Sequence, residues 1–567
     1  MNKYDKLSKE RKELQAQGLI PEWYTTAGYQ MFKEKYEHDT QGRSVKAQYE
    51  RIARTASKHL KGTKYEAQAY DKFFNLFWKG WLSASSPVLG NTGTNKGLPV
   101  SCGGSDIQDN IDGFYNNLRE TAVLTKHGFG TSSNLSKIRP RGSKVSIGGK
   151  ANGVIPVIKE HVQSMRNVSQ GQSRRGAWAG YLDIEHGDFW ELADLLKNEP
   201  DDLNIGWTIK DSFIAKLEAG DADAISRFKR VLFVKMLTGK GYFFFVDKAN
   251  RKSPQVYKDL GLLINNSNLC SEIMLMNDAE HSFSCVLSSM NVSLWHEWKD
   301  TDAVFWATIF LDCIAEEFIQ KAKDIPALEK TVRFTQKSRA LGLGQAGLAT
   351  LFQQDGLAFE GFGAHMLSTN IASHIHDESL RASKDMAKEL GEPEWLVGYG
   401  LRNTHRIAIA PTKTSSLIMG GISEGINPDP SMTFTQTTSA GEIDRVNPTL
   451  LKVMKDKGVY TKKHIQEIVD AQGSVQGVSW LTDDEKLVFR TAFEMNMHNI
   501  LRLASSRAKF IDQWQSLNFF FSANEKPEVI ARVHKGAFLD EDILGAYYIY
   551  TQAGVQASKE SECLACQ

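Results

Sequence analysis

The chain has 567 residues, and 68 Lys plus Arg nearly cancel 67 Asp plus Glu, so no global field favours nucleic acid. Apolar residues make up 41% and charged residues 24%, the balance of a globular protein with a core large enough to fold without disulfides. No apolar run long enough for a membrane span occurs, and the charged start MNKYDKLSKERKELQAQG is unlike a secretion signal, so a cytoplasmic protein is expected.

In chain order, residues 1–80 read as a mostly helical N-terminal region, with aromatic and aliphatic residues at helical spacing over 44–60 and 64–79. Turn signals then thicken at Ser85-Ser86-Pro87, Gly90-Asn91-Thr92-Gly93 and Gly97-Leu98-Pro99. From 81 to 550, helical stretches at 110–126, 226–237, 303–321 and 365–390 alternate with strand-like runs at 242–246, 285–292 and 406–409. That alternation predicts an α/β architecture with a largely parallel sheet. Residues 551–567 have little to bury and read as a flexible tail.

Six cysteines in a reducing compartment matter for chemistry rather than for a disulfide scaffold. Cys563 and Cys566 form a C-x-x-C, which is half a zinc site or a redox pair. No second Cys or His pair lies nearby to complete four zinc ligands, which favours redox. The residues between Gln552 and Cys563 extend about 35 Å at the usual rise, enough to carry a dithiol to another site. Taken alone, Cys102 and Cys285 read as small buried apolar residues, and Cys313 sits in an apolar helix where nothing more is needed.

Cys270 differs, because Asn268 and Glu272 flank it at two-residue spacing. If 268–272 is extended, an amide, a thiol and a carboxylate point to one side. Gly342-Leu343-Gly344-Gln345-Ala346-Gly347 formally satisfies G-x-G-x-x-G. The polar, basic stretch before it and Leu367 where an acidic residue belongs argue against a dinucleotide site.

These segments, taken together, resemble the large (α) subunit of ribonucleotide reductase. The resemblance rests on GLIPEW at 18–23, SPVLGNTGT at 86–94, SQGQSRRGA at 169–177, NLCSE at 268–272 and CVLSSMNVS at 285–293. RALGLGQAGLA at 339–349, APTKTSS at 410–416, FIDQWQSLN at 510–518 and AYYIYTQ at 546–552 complete the series, in order. It implies a ten-stranded α/β barrel of two five-stranded parallel halves, with Cys270 on an inserted finger loop and a helical N-terminal part.

By that resemblance, Cys270 becomes a thiyl radical that takes the 3′ hydrogen of a ribonucleotide, probed by Glu272 as base on the 3′ hydroxyl and oriented by Asn268. Cys102 and Cys285 match the pair that reduces the 2′ position and ends as a disulfide. Cys563 and Cys566 then match the tail dithiol that re-reduces it, with thioredoxin or glutaredoxin as the outer reductant. Ser86, Ser101 and the run Thr412, Lys413, Thr414, Ser415 match substrate contacts, the run as a phosphate loop in which Lys413 replaces an acidic residue of some relatives. Tyr547 and Tyr548 match a relay from a separate ferritin-like, radical-generating small subunit, so neither a cofactor nor a metal is expected in this chain.

The resemblance further implies a homodimer regulated by a dNTP or ATP effector. Asp109 matches an effector ribose contact and Arg139 an effector phosphate contact. The loop 170–176 matches the connector to the substrate, with Arg175 nearest the base and Gln172 where glycine is common. GLIPEW begins at residue 18, so no ATP cone is expected ahead of it and dATP is not expected to switch the enzyme off. The expected reaction is reduction of ribonucleoside diphosphates to 2′-deoxyribonucleoside diphosphates. The alternatives are an adenosylcobalamin-dependent reductase of the same fold and a non-enzymatic interaction protein using its C-x-x-C tail. A glycyl-radical enzyme is disfavoured, because the C-terminal region lacks a glycine in an R-V-x-G-Y setting.

Overall fold

The computed structural model describes residues 3–38, 44–170, 174–438 and 441–552. Cys563, Cys566 and residues 171–173 of the connector loop lie outside the described residues.

Five strands lie side by side in chain order, all parallel: Cys102–Asp106, Gly130–Asn134, Trp178–Asp183, Ile205–Ile209 and Tyr242–Phe245. The last three are rich in aromatic and aliphatic residues because both faces are covered. The first two, CGGSD and GTSSN, are small and polar instead. Their inner face meets an inserted loop rather than apolar side chains: Ser132 Oγ donates to the carbonyl of Ser267 at 2.8 Å.

A second set of extended segments runs the other way. Phe283–Asn291 pairs antiparallel with Cys102–Asp106, and Leu341–Ala346 pairs parallel with Phe283–Asn291. Residues 405–409 lie beside Leu341–Ala346, where the Leu341 and Leu343 amides donate to His405 and Arg406 carbonyls. Residues 513–517 follow, bridged in parallel at Ile409 and Gln515. The 545–551 segment comes next, with Tyr547 N–H donating to Leu517 O at 2.8 Å and Phe519–Phe521 parallel to Ile549–Thr551. Gly545–Ala546 then pairs antiparallel with Tyr242–Phe245 and closes the ring. The result is the expected α/β barrel: two five-membered parallel halves meeting at two antiparallel seams.

The expected strand at 406–409 forms only that isolated bridge rather than a ladder, with a regular strand on one side and the irregular segment 513–517 on the other. The four expected helices are present as Ile111–Lys126, Ala222–Thr238, Ala303–Ala322 and Phe362–Leu390. The second starts four residues earlier than periodicity suggests, because Asp221 caps it by accepting from Ala224 N–H at 2.9 Å. Ala303–Ala322 is apolar nearly all round and lies buried between the barrel and the helices Val45–Ser57, Glu66–Trp78 and Phe362–Leu390.

The N-terminal helices share one continuous apolar core with the barrel. A small separate core, with Met432, Leu450, Met454, Ile468 and Phe489, lies under the hairpin of Thr433–Thr438 and Gly441–Val446. Nothing in the sequence reading anticipated this satellite. Among the described residues, no helix is long and apolar enough to cross a membrane.

Candidate active site

The inserted loop, between the helix Gln255–Leu260 and Phe283–Asn291, enters the barrel with Asn266 to Asn277 almost wholly buried. A buried loop must satisfy its backbone polar groups from within the protein, and here side chains and backbone of the barrel wall supply the partners. Tyr181 Oη donates to Asn268 O at 2.6 Å, Ser516 Oγ to Cys270 O at 2.5 Å, and the Trp514 N–H to Glu272 O at 3.0 Å.

The conditional extended reading of 268–272 does not hold. Ser271 has φ +64°, a left-handed conformation in a residue that is not glycine, and its N–H donates back to Asn268 O at 3.3 Å. The Asn268 side chain secures this turn, its Oδ1 accepting from the N–H groups of Glu272 at 3.0 Å and Ile273 at 3.1 Å. The same amide donates through Nδ2 to Cys102 Sγ at 3.4 Å. One asparagine thus ties the loop that carries Cys270 and Glu272 to the first barrel strand.

Cys102 and Cys285 stand directly opposite each other at the first seam. Opposed residues of an antiparallel pair have Cα atoms roughly 4.5–5.5 Å apart, within the span of a disulfide. Both are thiols here and both are buried. Gln513 spans from Cys285 to the loop: its Nε2 lies 3.7 Å from Cys285 Sγ, and its Oε1 accepts from Met274 N–H at 3.2 Å. Gly342 leaves room for this sulfur, since a Cβ there would sit 2.9 Å from Cys285 Sγ. The glycines of G-x-G-x-x-G serve close packing, Gly342 against Cys285 and Gly344 against the Ala408 carbonyl, where a Cβ would sit 2.7 Å away.

Electrostatics separate these groups. Burial drives the Cys285 thiol far up, and the nearby Glu272 carboxyl adds to the effect, so Cys285 stays protonated. Burial also pushes the Glu272 carboxyl up to about 8. Among the described residues, neither carboxyl oxygen of Glu272 has a hydrogen-bond partner, nor does the buried Ser101 Oγ beside Cys102. Unsatisfied buried polar atoms are costly, and a polyhydroxylated ligand is the kind of molecule that satisfies them.

At the second seam, Tyr547 and Tyr548 pack with ring centroids 4.0 Å apart. Tyr242, which the sequence reading took only as part of an apolar strand, joins them at 4.6 Å and 5.4 Å. Its Oη lies 3.2 Å from Tyr548 Oη. The step from Cys270 to this cluster is short along the backbone: Ser516 holds the Cys270 carbonyl, and its neighbour Leu517 accepts the Tyr547 N–H.

Thr412 has φ +59° and precedes the short helix Lys413–Ile418 without capping it through its side chain, its Oγ1 instead accepting from Gly425 N–H at 2.8 Å. Burial lowers the Lys413 ammonium, with Glu424 opposing that shift. Thr414 and Ser415 are buried, and the Ser415 hydroxyl donates to Thr412 O at 3.3 Å. This helix packs against the strand Leu82–Ala84, which leads into Ser86, so the expected phosphate-loop residues and Ser86 share one end of the barrel. Ser86 Oγ lies 2.7 Å from Tyr36 Oη. The expected effector residues also come together, Arg139 Nε donating to Asp109 Oδ2 at 2.6 Å. Arg175 pairs in register with Ser169 at the base of the connector loop.

Tyr181, Gln513, Ser516 and Tyr242 escaped sequence reading as site residues. Gln513 and Ser516 lie within FIDQWQSLN, so position was visible there and role was not.

Fold and site together define a barrel oxidoreductase whose chemistry runs on cysteine sulfur. The family model for the ribonucleotide reductase barrel domain matches residues 100–228, 220–395 and 394–548. The chain is similar to the class Id ribonucleotide reductase alpha subunit of Actinobacillus ureae, with TM-score 0.87 and 35% identity over 94% of this chain and 98% of that one. It is also similar to the ribonucleoside-diphosphate reductase large subunits of Invertebrate iridescent virus 3 (25% identity, 96% of this chain and 98% of the relative) and Danio rerio (27%, 87% and 71%). The chain belongs to the ribonucleotide reductase family, as a class I-like large, catalytic subunit.

Proposed function

We propose that this chain reduces ribonucleoside diphosphates at C2′, with Cys270 as the radical-bearing thiol and Cys102 with Cys285 as the two-electron reductant. The observation that carries this reading is the register of Cys102 against Cys285, under a loop whose Asn268 touches Cys102 and whose Glu272 acts on Cys285.

The residues divide the work as follows. The Cys270 thiyl takes the 3′ hydrogen, and Glu272, poised near neutrality by burial, takes the 3′ hydroxyl proton. Loss of the 2′ hydroxyl as water consumes a proton from the thiol pair. The pair supplies two electrons to the sugar, becomes a disulfide, and the 3′ hydrogen returns from Cys270. The buried, strongly protonated Cys285 suits this step, which uses thiols rather than a nucleophilic thiolate. Ser101 and Ser86 hold the sugar end, and Thr412, Lys413, Thr414 and Ser415 hold the phosphates.

Cys563 and Cys566 return the pair to dithiol by exchange, drawing on a thioredoxin-type reductant. Tyr547 and Tyr548 pass the oxidising equivalent from a small radical-generating subunit to Cys270. Asp109 and Arg139 belong to effector control at a homodimer contact, Arg175 reaches the substrate base, and the protein works in the cytoplasm.

The test mixes the purified chain with candidate small subunits, a ribonucleoside diphosphate, an effector and a dithiol. Deoxynucleotide is expected only with a matching subunit, and Cys270→Ser abolishes it. Turnover with adenosylcobalamin and no second subunit overturns the two-subunit reading, and undiminished turnover in Cys270→Ala overturns the radical role.

A further inference from the structure

The helix Ala222–Thr238 places Lys235 in the interior with no exposed surface. A buried ammonium is costly unless its donors are satisfied, and a methionine of similar length would avoid that cost. Lys235 Nζ donates to Gly241 O at 3.0 Å and, by a shorter contact, to Tyr547 O. Its charge also lies 5.8 Å from the Phe243 ring centroid. Burial alone brings its pKa down to about 7.

The sheet explains why a lysine sits there. At the second seam only Gly545↔Phe244 and Ala546↔Phe243 are paired. The next pair would be Tyr547 with Tyr242, but the chain leaves the ladder at that point. Tyr547 N–H turns away to Leu517 O, and the ladder resumes against Phe519–Phe521 only at Ile549. The two tyrosines thus lie beyond the Tyr242–Phe245 ladder, held on the other side by Tyr547 N–H to Leu517 O and by Phe519 N–H to Tyr548 O at 3.0 Å. Their segment is anchored at both ends to one helix C-terminus, since Lys235 takes the Tyr547 carbonyl and Gly239 O accepts the Ile549 N–H at 3.1 Å.

We propose that Lys235 is a positioning residue of the tyrosine relay, clamping the carbonyls of Tyr547 and Gly241 so that the Tyr547–Tyr548 pair keeps its packing against Tyr242. The inference rests on the relay role given to that pair above. Lys235 touches neither substrate nor reacting sulfur, so its effect falls on delivery of the oxidising equivalent and not on nucleotide binding.

The test compares Lys235→Met, which keeps length and loses the donors, with Lys235→Gln, which keeps an uncharged donor. Each is prepared as the full chain and assayed with the small subunit that activates the wild type. Lys235→Met is expected to lower kcat by about tenfold or more with nucleotide KM unchanged, and Lys235→Gln to fall between it and wild type. Hydrogen exchange, which needs no partner, is expected to speed up over 545–551 in Lys235→Met while the five-strand half keeps its protection. Wild-type kcat, or unchanged exchange at 545–551, overturns the proposal. So does a variant in which nucleotide KM and global protection fall together, since that is a structural lysine only. Tyr547→Phe separates the two readings: full turnover there removes the relay itself, whereas an inactive Tyr547→Phe beside a fully active Lys235→Met removes only the clamp.

Discussion

The barrel closes at two antiparallel seams, and they are built differently. At the first, Cys102–Asp106 and Phe283–Asn291 pair over Cys102↔Cys285, Gly103↔Ser284 and Gly104↔Phe283, and both strands run on into parallel ladders. At the second, pairing lasts two residues and then breaks, with a lysine side chain bonding to a carbonyl beyond the break. Two sulfurs proposed to bond in turnover need a fixed register, which a regular ladder supplies. Two tyrosines that stack on each other and on a third ring need to leave the ladder, because neighbouring residues of a strand point to opposite faces. Regular backbone sets one site and broken backbone sets the other.

The largest expected effect lies at the loop between the seams. Glu272→Gln is expected to lower turnover by roughly a hundredfold to ten-thousandfold while leaving nucleotide affinity in place. Its pH signature is as specific. The Glu272 carboxyl is raised from 4.5 to about 8 by burial, so its contribution to stability is complete below pH 4.5 and is lost as pH rises through about 8. Denaturant titrations at pH 5 and pH 9 are expected to show the wild type losing stability relative to Glu272→Gln. An equal pH response in both proteins contradicts the buried, unpartnered carboxyl.

Gly342→Ala strikes the first seam next. The added Cβ lies 2.4 Å from Leu287 Cδ2 and 2.9 Å from Cys285 Sγ. A loss of about 1–3 kcal/mol by denaturant unfolding is expected, with slower disulfide formation between Cys102 and Cys285 read by thiol labelling. The comparable change at the second seam is Trp514→Phe, which removes the Nε1 bond to Gly545 O at 3.1 Å. It is expected to cost about 1–3 kcal/mol and to lower kcat without altering thiol labelling. If both substitutions changed thiol labelling alike, the seams would not be separable.

The smallest effect belongs to Ile205→Val, in a strand that touches neither seam. About 0.5–1.5 kcal/mol is expected, with turnover unchanged.

Much of this was legible before the fold was known. Helical periodicity placed Ile111–Lys126 and Ala303–Ala322 within a residue or so, and the motif series singled out the segments that hold Cys270 and Cys285. What could not be read was long-range or local and irregular. No spacing rule brings Cys102 opposite Cys285, because the register is set between two strands far apart in the chain, one in each half of the barrel. The turn at Ser271 defeats the two-residue alternation, since nothing in Ser announces a positive φ. Residues 405–409 and 513–517 carry the second half with almost no ladder, so strand propensity has little to detect there. Lys235 looks in sequence like any lysine of a charged helix, and only the missing Tyr547–Tyr242 pair shows why it is inside.

The first seam also gives the barrel a mechanical memory. In the proposed cycle each turnover leaves a covalent staple between the two halves, fastened across the one junction where they meet through Cys102 and Cys285. Until the tail dithiol opens it, the halves are locked together there, while the other junction still rests on two residue pairs and side-chain contacts. A spent enzyme is therefore a stiffer object than a ready one, and the difference is concentrated on the side away from the tyrosines.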